Sequence, residues 1–164
     1  MAYTDLATNT YVVNGRALHQ GNEGALNGNV TRAVPLALAG PNLIDRQRQT
    51  GVAAQDGRIF DNAPRWSGSA FVNWQPAQWP ALGLNAGVYC TGARYADVLD
   101  QGGVPAYATL SLGARYKVML PRARTLILRA NADNVTNKRY WATGGTTLYA
   151  GAGRTLRLSA NVGF

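Results

Sequence analysis

At 164 residues the chain is long enough for one ordinary domain, but only 15% of it is Asp, Glu, Lys or Arg, against roughly 25% in soluble domains. Glycine is frequent, with 19 copies, and no run approaches the roughly 20 apolar residues that a membrane-crossing helix requires. The net charge of +8 comes from scattered residues, among them Arg16, Arg32, Arg94, Arg115, Lys117, Arg129, Arg154 and Arg157, with no basic helix or cluster. That scatter argues against a nucleic-acid partner, whose footprint is a basic stripe. Two classes remain: a soluble all-β domain, or a transmembrane barrel whose apolar residues recur at every second position.

In chain order the alternation predicts seven strands. The first, over 10–18, is the least marked. The second, over 25–34, sets Leu26, Gly28 and Val30 against Asn27, Asn29 and Thr31. The third, over 66–74, opposes Ala70, Val72 and Trp74 to Ser69, Phe71 and Asn73. In the fourth, over 82–94, Leu84, Ala86, Val88 and Cys90 alternate with Asn85, Gly87, Tyr89 and Thr91. The fifth, over 106–118, has Leu110, Leu112, Ala114, Tyr116 and Val118 on one face, with Ser111, Gly113, Arg115 and Lys117 on the other. The sixth, over 125–135, places Leu126, Leu128, Ala130 and Ala132 opposite Ile127, Arg129, Asn131 and Asp133. The last, over 154–164, is the strictest: Leu156, Leu158, Ala160, Val162 and Phe164 face one way, and Arg157, Ser159, Asn161 and Gly163 the other. A period of two belongs to a strand with one apolar face and is useless to a helix.

The connections decide between the two β classes. Long ones (138–153, 96–105 and 35–65) alternate with short ones (120–124, 75–80 and 19–24), as outer-membrane barrels alternate external loops with periplasmic turns. Aromatic residues gather near strand ends: Trp74 and Trp79 at one end, Tyr95, Tyr107, Tyr140 and Trp141 at the other. That is the distribution of an interfacial girdle. Seven is an odd number, however, and bacterial single-chain barrels close with even counts of eight or more. The expected fold is therefore an all-β, antiparallel transmembrane β-barrel segment, incomplete on its own. The start, Met1-Ala-Tyr-Thr-Asp5, has neither the charge nor the apolar stretch of a signal peptide. Two rivals remain: a small complete outer-membrane barrel of a structural or adhesion kind, and a soluble β-sandwich binding module with the 156–164 face packed on a second sheet.

Enzymatic chemistry finds few tools. There is no Gly-x-Ser-x-Gly, a single histidine (His19, expected in a short turn) and a single cysteine (Cys90, expected to face lipid). One cysteine excludes an internal disulfide and multi-cysteine metal sites, so neither a cofactor nor a metal is expected. Tyr89, Arg94, Tyr140, Trp141 and Tyr149 are the candidate ligand-binding residues, since they fall near the expected outer rim. Girdle or loop packing is the competing role for the aromatic ones. Arg115, Arg129 and Arg157 are expected to line the lumen.

Several motifs resemble one family. Asn131-Ala-Asp-Asn-Val-Thr-Asn-Lys-Arg-Tyr140, a loop, and Gly153-Arg-Thr-Leu-Arg-Leu-Ser-Ala-Asn-Val-Gly-Phe164 are similar to the ending of TonB-dependent receptors. Asn62-Ala-Pro-Arg-Trp66, Gly92-Ala-Arg-Tyr-Ala96 with Val104-Pro-Ala-Tyr107, and Val13-Asn-Gly-Arg-Ala-Leu-His-Gln-Gly-Asn-Glu23 resemble its siderophore branch. The resemblance implies that residues 1–164 are the C-terminal portion, about seven strands, of a barrel of about 22, with plug and signal peptide outside this chain. It further implies a Gram-negative outer-membrane location and a ferric siderophore as ligand, with cobalamin, haem or sugars as other cargoes. Energy would come through TonB, which contacts the plug. Phe164 would be the assembly signal read by the barrel-assembly machinery, and outer-membrane lipid would surround the wall. The portion alone is not expected to transport.

Overall fold

The period-two pattern becomes one seven-stranded antiparallel sheet, in which each strand pairs only with its neighbours in sequence. The strands are β1 (Arg16–Thr31), β2 (Val34–Arg48), β3 (Ser67–Trp74), β4 (Leu82–Thr91), β5 (Tyr107–Met119), β6 (Thr125–Asp133) and β7 (Thr155–Gly163). The computed structural model describes residues 3–5, 8–12, 16–122, 124–145 and 147–163. Three two-stranded ribbons accompany the sheet: Tyr3–Asp5 with Thr10–Val12, Arg94–Tyr95 with Gly103–Val104, and Trp141–Gly144 with Thr147–Ala150.

Register carries one face across the whole sheet. Leu158 pairs with Ala130, which pairs with Ala114, which pairs with Leu84, which pairs with Trp74. One row along, Leu156, Ala132, Leu112, Ala86, Val72 and Leu36 are joined in the same way. Among the described residues nothing covers this face: Leu158 is 83% exposed and Leu156 74%. The opposite face carries Arg157, Asn131, Gly113 and Asn85 in one such row. Gly113 is required there, because a Cβ would lie 2.6 Å from Asn85 Oδ1 and also against the Asn131 amide. Among the described residues only Ile59 and Val104 are buried apolar side chains, and both lie outside the seven wall strands. A soluble sandwich would bury the Leu156–Leu158 face against a second sheet; here it is bare, so the sandwich reading is overturned.

An apolar face left open is stable against hydrocarbon. Along β5 it runs from Leu110 to Val118, about 27 Å at roughly 3.4 Å per residue, close to the ~25 Å apolar band of outer-membrane barrels. Trp74 and Trp79, 47% and 65% exposed, mark one border, and Trp66, 48% exposed, the other. Tyr107 is not part of the girdle: it pairs with Thr91, in the phase of Tyr89 and Arg115, and faces the polar side. The sheet is open, with β1 and β7 as its two edges. A small complete barrel would have no edges.

The number of strands agrees with the sequence pattern, but the first two do not fall where the pattern puts them. Residues 10–12 belong to a ribbon and 13–15 lie outside the described residues, while 16–31 form one long strand. The expected turn at 19–24 is the middle of that strand. The turn is instead Arg32-Ala33, and the first part of the expected 35–65 loop, residues 35–48, is β2. The reasons are physical. Leu36-Ala-Leu-Ala39 is apolar on both faces, which hides its alternation. Pro35 and Pro41 suggest a loop, yet both lie just outside the four residues, Leu36 to Ala39, at which β2 bonds β3. Their missing N–H groups fall where that ladder requires no donor. Beyond residue 40 the regular β2–β3 ladder gives way to isolated bonds with residues 58–66, such as Leu43 N–H to Arg65 O at 2.7 Å, and there Gly21, Asn22 and Gly24 are tolerated in β1.

The short turns are 32–33, 75–81 and 120–124; the long loops are 49–66, 92–106 and 134–154. Long and short therefore still alternate, with all three long loops at one end. Leu158→Arg in the full-length protein is expected to lower folding free energy in lipid by about 2–4 kcal/mol. Ser159→Arg, one residue along and on the polar face, is expected to change it by less than about 1 kcal/mol. Equilibrium urea unfolding in phospholipid vesicles measures both.

Candidate functional site

The three long loops join into one polar, partly buried rim. From the top of β2, Gln47 is fully buried, and its Nε2 donates to Ile59 O (3.1 Å) in the first long loop and to Val98 O (3.2 Å) in the second. Asp100 of the second loop accepts from the Ile59 N–H at 3.2 Å, and the Asn62 N–H donates to Tyr95 O at 2.7 Å. Arg94 reaches the third loop, donating through Nη2 to Trp141 O at 2.7 Å. These bonds bury Ile59 and Val104 and form the molecule's only apolar core among the described residues.

The third loop is stapled by its own asparagines. Asn134, buried at a φ of 47°, accepts from Lys138 N–H (2.8 Å) and donates to Lys138 O and Ala152 O (both 2.9 Å). Asn137, at φ 51°, accepts from Arg154 N–H at 3.0 Å. Asparagine tolerates the left-handed region and carries both donor and acceptor, which accounts for its place here. The second loop is closed by Asp97. The Gly102 N–H holds its carboxyl below the usual carboxylate range, helped by the N–H groups of Gln101 and Leu99.

The candidate residues divide as follows. Tyr140 stacks on Tyr107 with ring centroids 4.1 Å apart and lies over Gly151. Burial, and next Tyr107, raise its hydroxyl above the usual phenol value, so it remains protonated. Trp141 and Tyr149 are about half exposed on the Trp141–Gly144 and Thr147–Ala150 ribbon, and Tyr149 Oη donates to Thr143 O at 3.4 Å. Arg94, 4% exposed, meets this group through Trp141. Tyr89 stands apart on the polar face of β4, edge-on to Phe71 at 5.0 Å, with the Phe71 ring over Gly87. Phe164 lies outside the described residues. His19 is not in a turn: it is in β1, with Nδ1 2.8 Å from Asp45 Oδ1 and its ring 5.6 Å from Phe60. Arg157 pairs with Asp133. No cluster of three or more metal-ligating side chains occurs among the described residues. Gln47 and Asp100 escaped sequence reasoning, since Gln47 was placed in a loop and nothing local signals a bond 51 residues away.

A bare apolar band, a polar inner face and a loop rim at one end define the wall of an outer-membrane β-barrel. The chain belongs to the TonB dependent receptor-like, beta-barrel family, whose model matches residues 1–135. Over 77 residues, 45% of this chain, it is 36% identical to the ferrichrome receptor FcuA of Yersinia enterocolitica, covering 10% of that protein. It superposes on the ferric preacinetobactin receptor BauA of Acinetobacter baumannii with a TM-score of 0.86 and 27% identity, over 98% of this chain and 25% of that one. The siderophore receptor PiuA of the same organism shares the fold, with a TM-score of 0.77 and 23% identity over 93% of this chain and 22% of that one. The chain thus spans about a quarter or less of the relatives it matches, and its place is the Gram-negative outer membrane.

Two outcomes follow for the rim. Asn134→Ala removes three hydrogen bonds and is expected to destabilise the third loop by about 2 kcal/mol, read as faster proteolytic nicking between 138 and 153 in the full-length protein. Because the Asp97 pKa is lowered in the folded loop, its contribution is complete above the ordinary value of 3.8 and is lost as pH falls through the folded value. Amide exchange at Gly102 is therefore expected to remain protected from neutral pH down to about 4, to lose that extra protection in stronger acid, and to lack it at every pH in Asp97→Asn.

Proposed function

We propose that this chain forms the C-terminal seven strands and part of the outer rim of a TonB-energised receptor that takes up ferric siderophores. The observation that carries this reading is the loop cluster at the end opposite the short turns. There Tyr140 stacks on Tyr107 on the polar, inner side, and Trp141 and Tyr149 stand half exposed beside it. Aromatic faces and hydroxyls held at the mouth of a polar lumen suit a bulky chelate that must first bind and then pass inward. The names of the similar proteins, receptors for ferrichrome and ferric preacinetobactin, support the same cargo class.

In this reading the chain performs no chemistry. The wall positions the loops, Tyr140, Trp141, Tyr149 and Arg94 meet the cargo at the rim, and Tyr89 faces it further in. Movement through the lumen draws on TonB acting through the plug, which lies beyond this chain, and the open sheet with two edges supports the existence of further strands. Phe164, an aromatic residue in sequence phase with Leu156, Leu158 and Val162, would be the signal that the barrel-assembly machinery reads, and membrane lipid covers the outer face.

Deleting the gene in the source organism is expected to abolish uptake of radioactive iron supplied as one ferric siderophore from a panel, with other siderophores unaffected. A full-length protein with Trp141→Ala and Tyr149→Ala is expected to reach the outer membrane at normal level and bind that siderophore about tenfold more weakly. Unchanged uptake of every siderophore in the deletion strain would overturn the proposal.

A further inference from the structure

On the polar face, towards the short turns, lies a cavity of about 450 Å³ lined by Arg32, Arg115 and Arg129 and by a group of amides, among them Asn73, Asn85 and Asn131. Register brings the charges together. Arg115 of β5 and Arg129 of β6 are direct cross-strand partners, and on its other side Arg115 pairs with Gly83. Its guanidinium lies over that glycine, where a Cβ would come within 3.3 Å of Nη2. Asn131, Gly113, Asn85 and Asn73 form the adjacent row, and Lys117, two residues along β5 from Arg115, adds a fourth positive charge to the same face. Among the described residues no Asp or Glu lines the cavity. Asp133, on the same face of β6, stands nearer the long loops and already pairs with Arg157. Arg32, Arg115 and Arg129 form no hydrogen bond or ion pair among the described residues.

Like charges set directly opposite each other across two strands repel, so this cluster requires either water or a counter-charge in front of it. A barrel of about 22 strands is too wide for its own side chains to fill, and its lumen is plugged. A segment that covers the cavity removes water from arginines that cannot respond by losing a proton. It must then bring the counter-charges itself, because a buried charge left unpaired is strongly destabilising. We propose that the cavity is the docking surface for an acidic patch of the plug, whose Asp or Glu side chains pair with Arg115 and Arg129. Arginine suits this role, since its planar fork takes a carboxylate through two parallel bonds. Arg32 closes the cavity from the turn side, and the asparagine row offers donors and acceptors to the plug backbone beside the ion pairs. The proposal rests on the receptor reading, which supplies the plug, and adds the sign and the place of the contact.

The test uses the full-length protein in detergent, with heat-modifiable gel mobility showing a folded barrel in each variant. Carbodiimide joins a lysine amine to a carboxylate in contact with it. Applied to Arg129→Lys and read by peptide mass spectrometry, it is expected to link residue 129 to an Asp or Glu outside residues 1–164, with Lys117 as a second probe of the same face. Hydrogen exchange of the linked plug segment is expected to be about tenfold faster or more in Arg115→Gln combined with Arg129→Gln. A protease-protected plug that gives no such link, or that exchanges at the wild-type rate in the double variant, overturns the docking surface and leaves the receptor reading standing. A link from residue 129 only to acids of this chain does the same. Saturable calorimetric binding of inorganic phosphate, lost in the double variant, would assign the cavity to a free anion and also overturns it. A full-length protein without any protected segment in its lumen sinks the receptor reading and the docking surface with it.

Discussion

In hydrocarbon no water completes an unpaired N–H or C=O, so every backbone polar group of the wall must find its partner inside the sheet. That constraint accounts for features that look unrelated. Neighbouring strands pair along the membrane band, and Pro35 and Pro41 of β2 flank the four residues, Leu36 to Ala39, that form its regular ladder with β3. It also turns the usual arrangement of a protein outwards. The largest apolar side chains of β7 are the most exposed, and the few buried ones lie in loops beyond the bilayer.

With the outside of the wall given to lipid, specificity has to be built on the inside and at the rim. Small residues let this happen in a thin sheet. Gly113 makes space for the amides of Asn85 and Asn131, Gly87 for the Phe71 ring, and Gly83 for the Arg115 guanidinium. Each glycine gives up side-chain packing of its own so that a neighbour on the adjacent strand can lie flat against the wall. At the rim the device changes: side-chain amides and carboxylates of Gln47, Asp97, Asp100 and Asn134 bond backbone groups of the loops, replacing the ladder where the strands end.

The wall was largely legible in the sequence because lipid on one face and a polar lumen on the other enforce strict alternation, as in β5, β6 and β7. The signal failed at Leu36–Ala39 of β2, apolar on both faces, and in the outer parts of β1 and β2, where Gly21, Asn22 and Pro41 are acceptable in strands. The rim was legible only as motifs. Asn62 and Asn134 each stood in a quoted run without a physical role, and Arg94 was expected only to meet a ligand, with no sign of its bond to the third loop. Their roles depend on partners such as Trp141 O, 47 residues from Arg94, and such pairings leave no local periodicity.

The strictly sequential pairing of the sheet also has a kinetic side. Since no strand crosses over another, each hairpin requires only the edge left by its predecessor, and the chain segment to be closed at each step is a single turn or loop. Loop-closure entropy therefore accumulates in small increments instead of being met at once. A sheet of this connectivity is suited to growing by zippering, one hairpin at a time, from whichever edge is first held at the membrane.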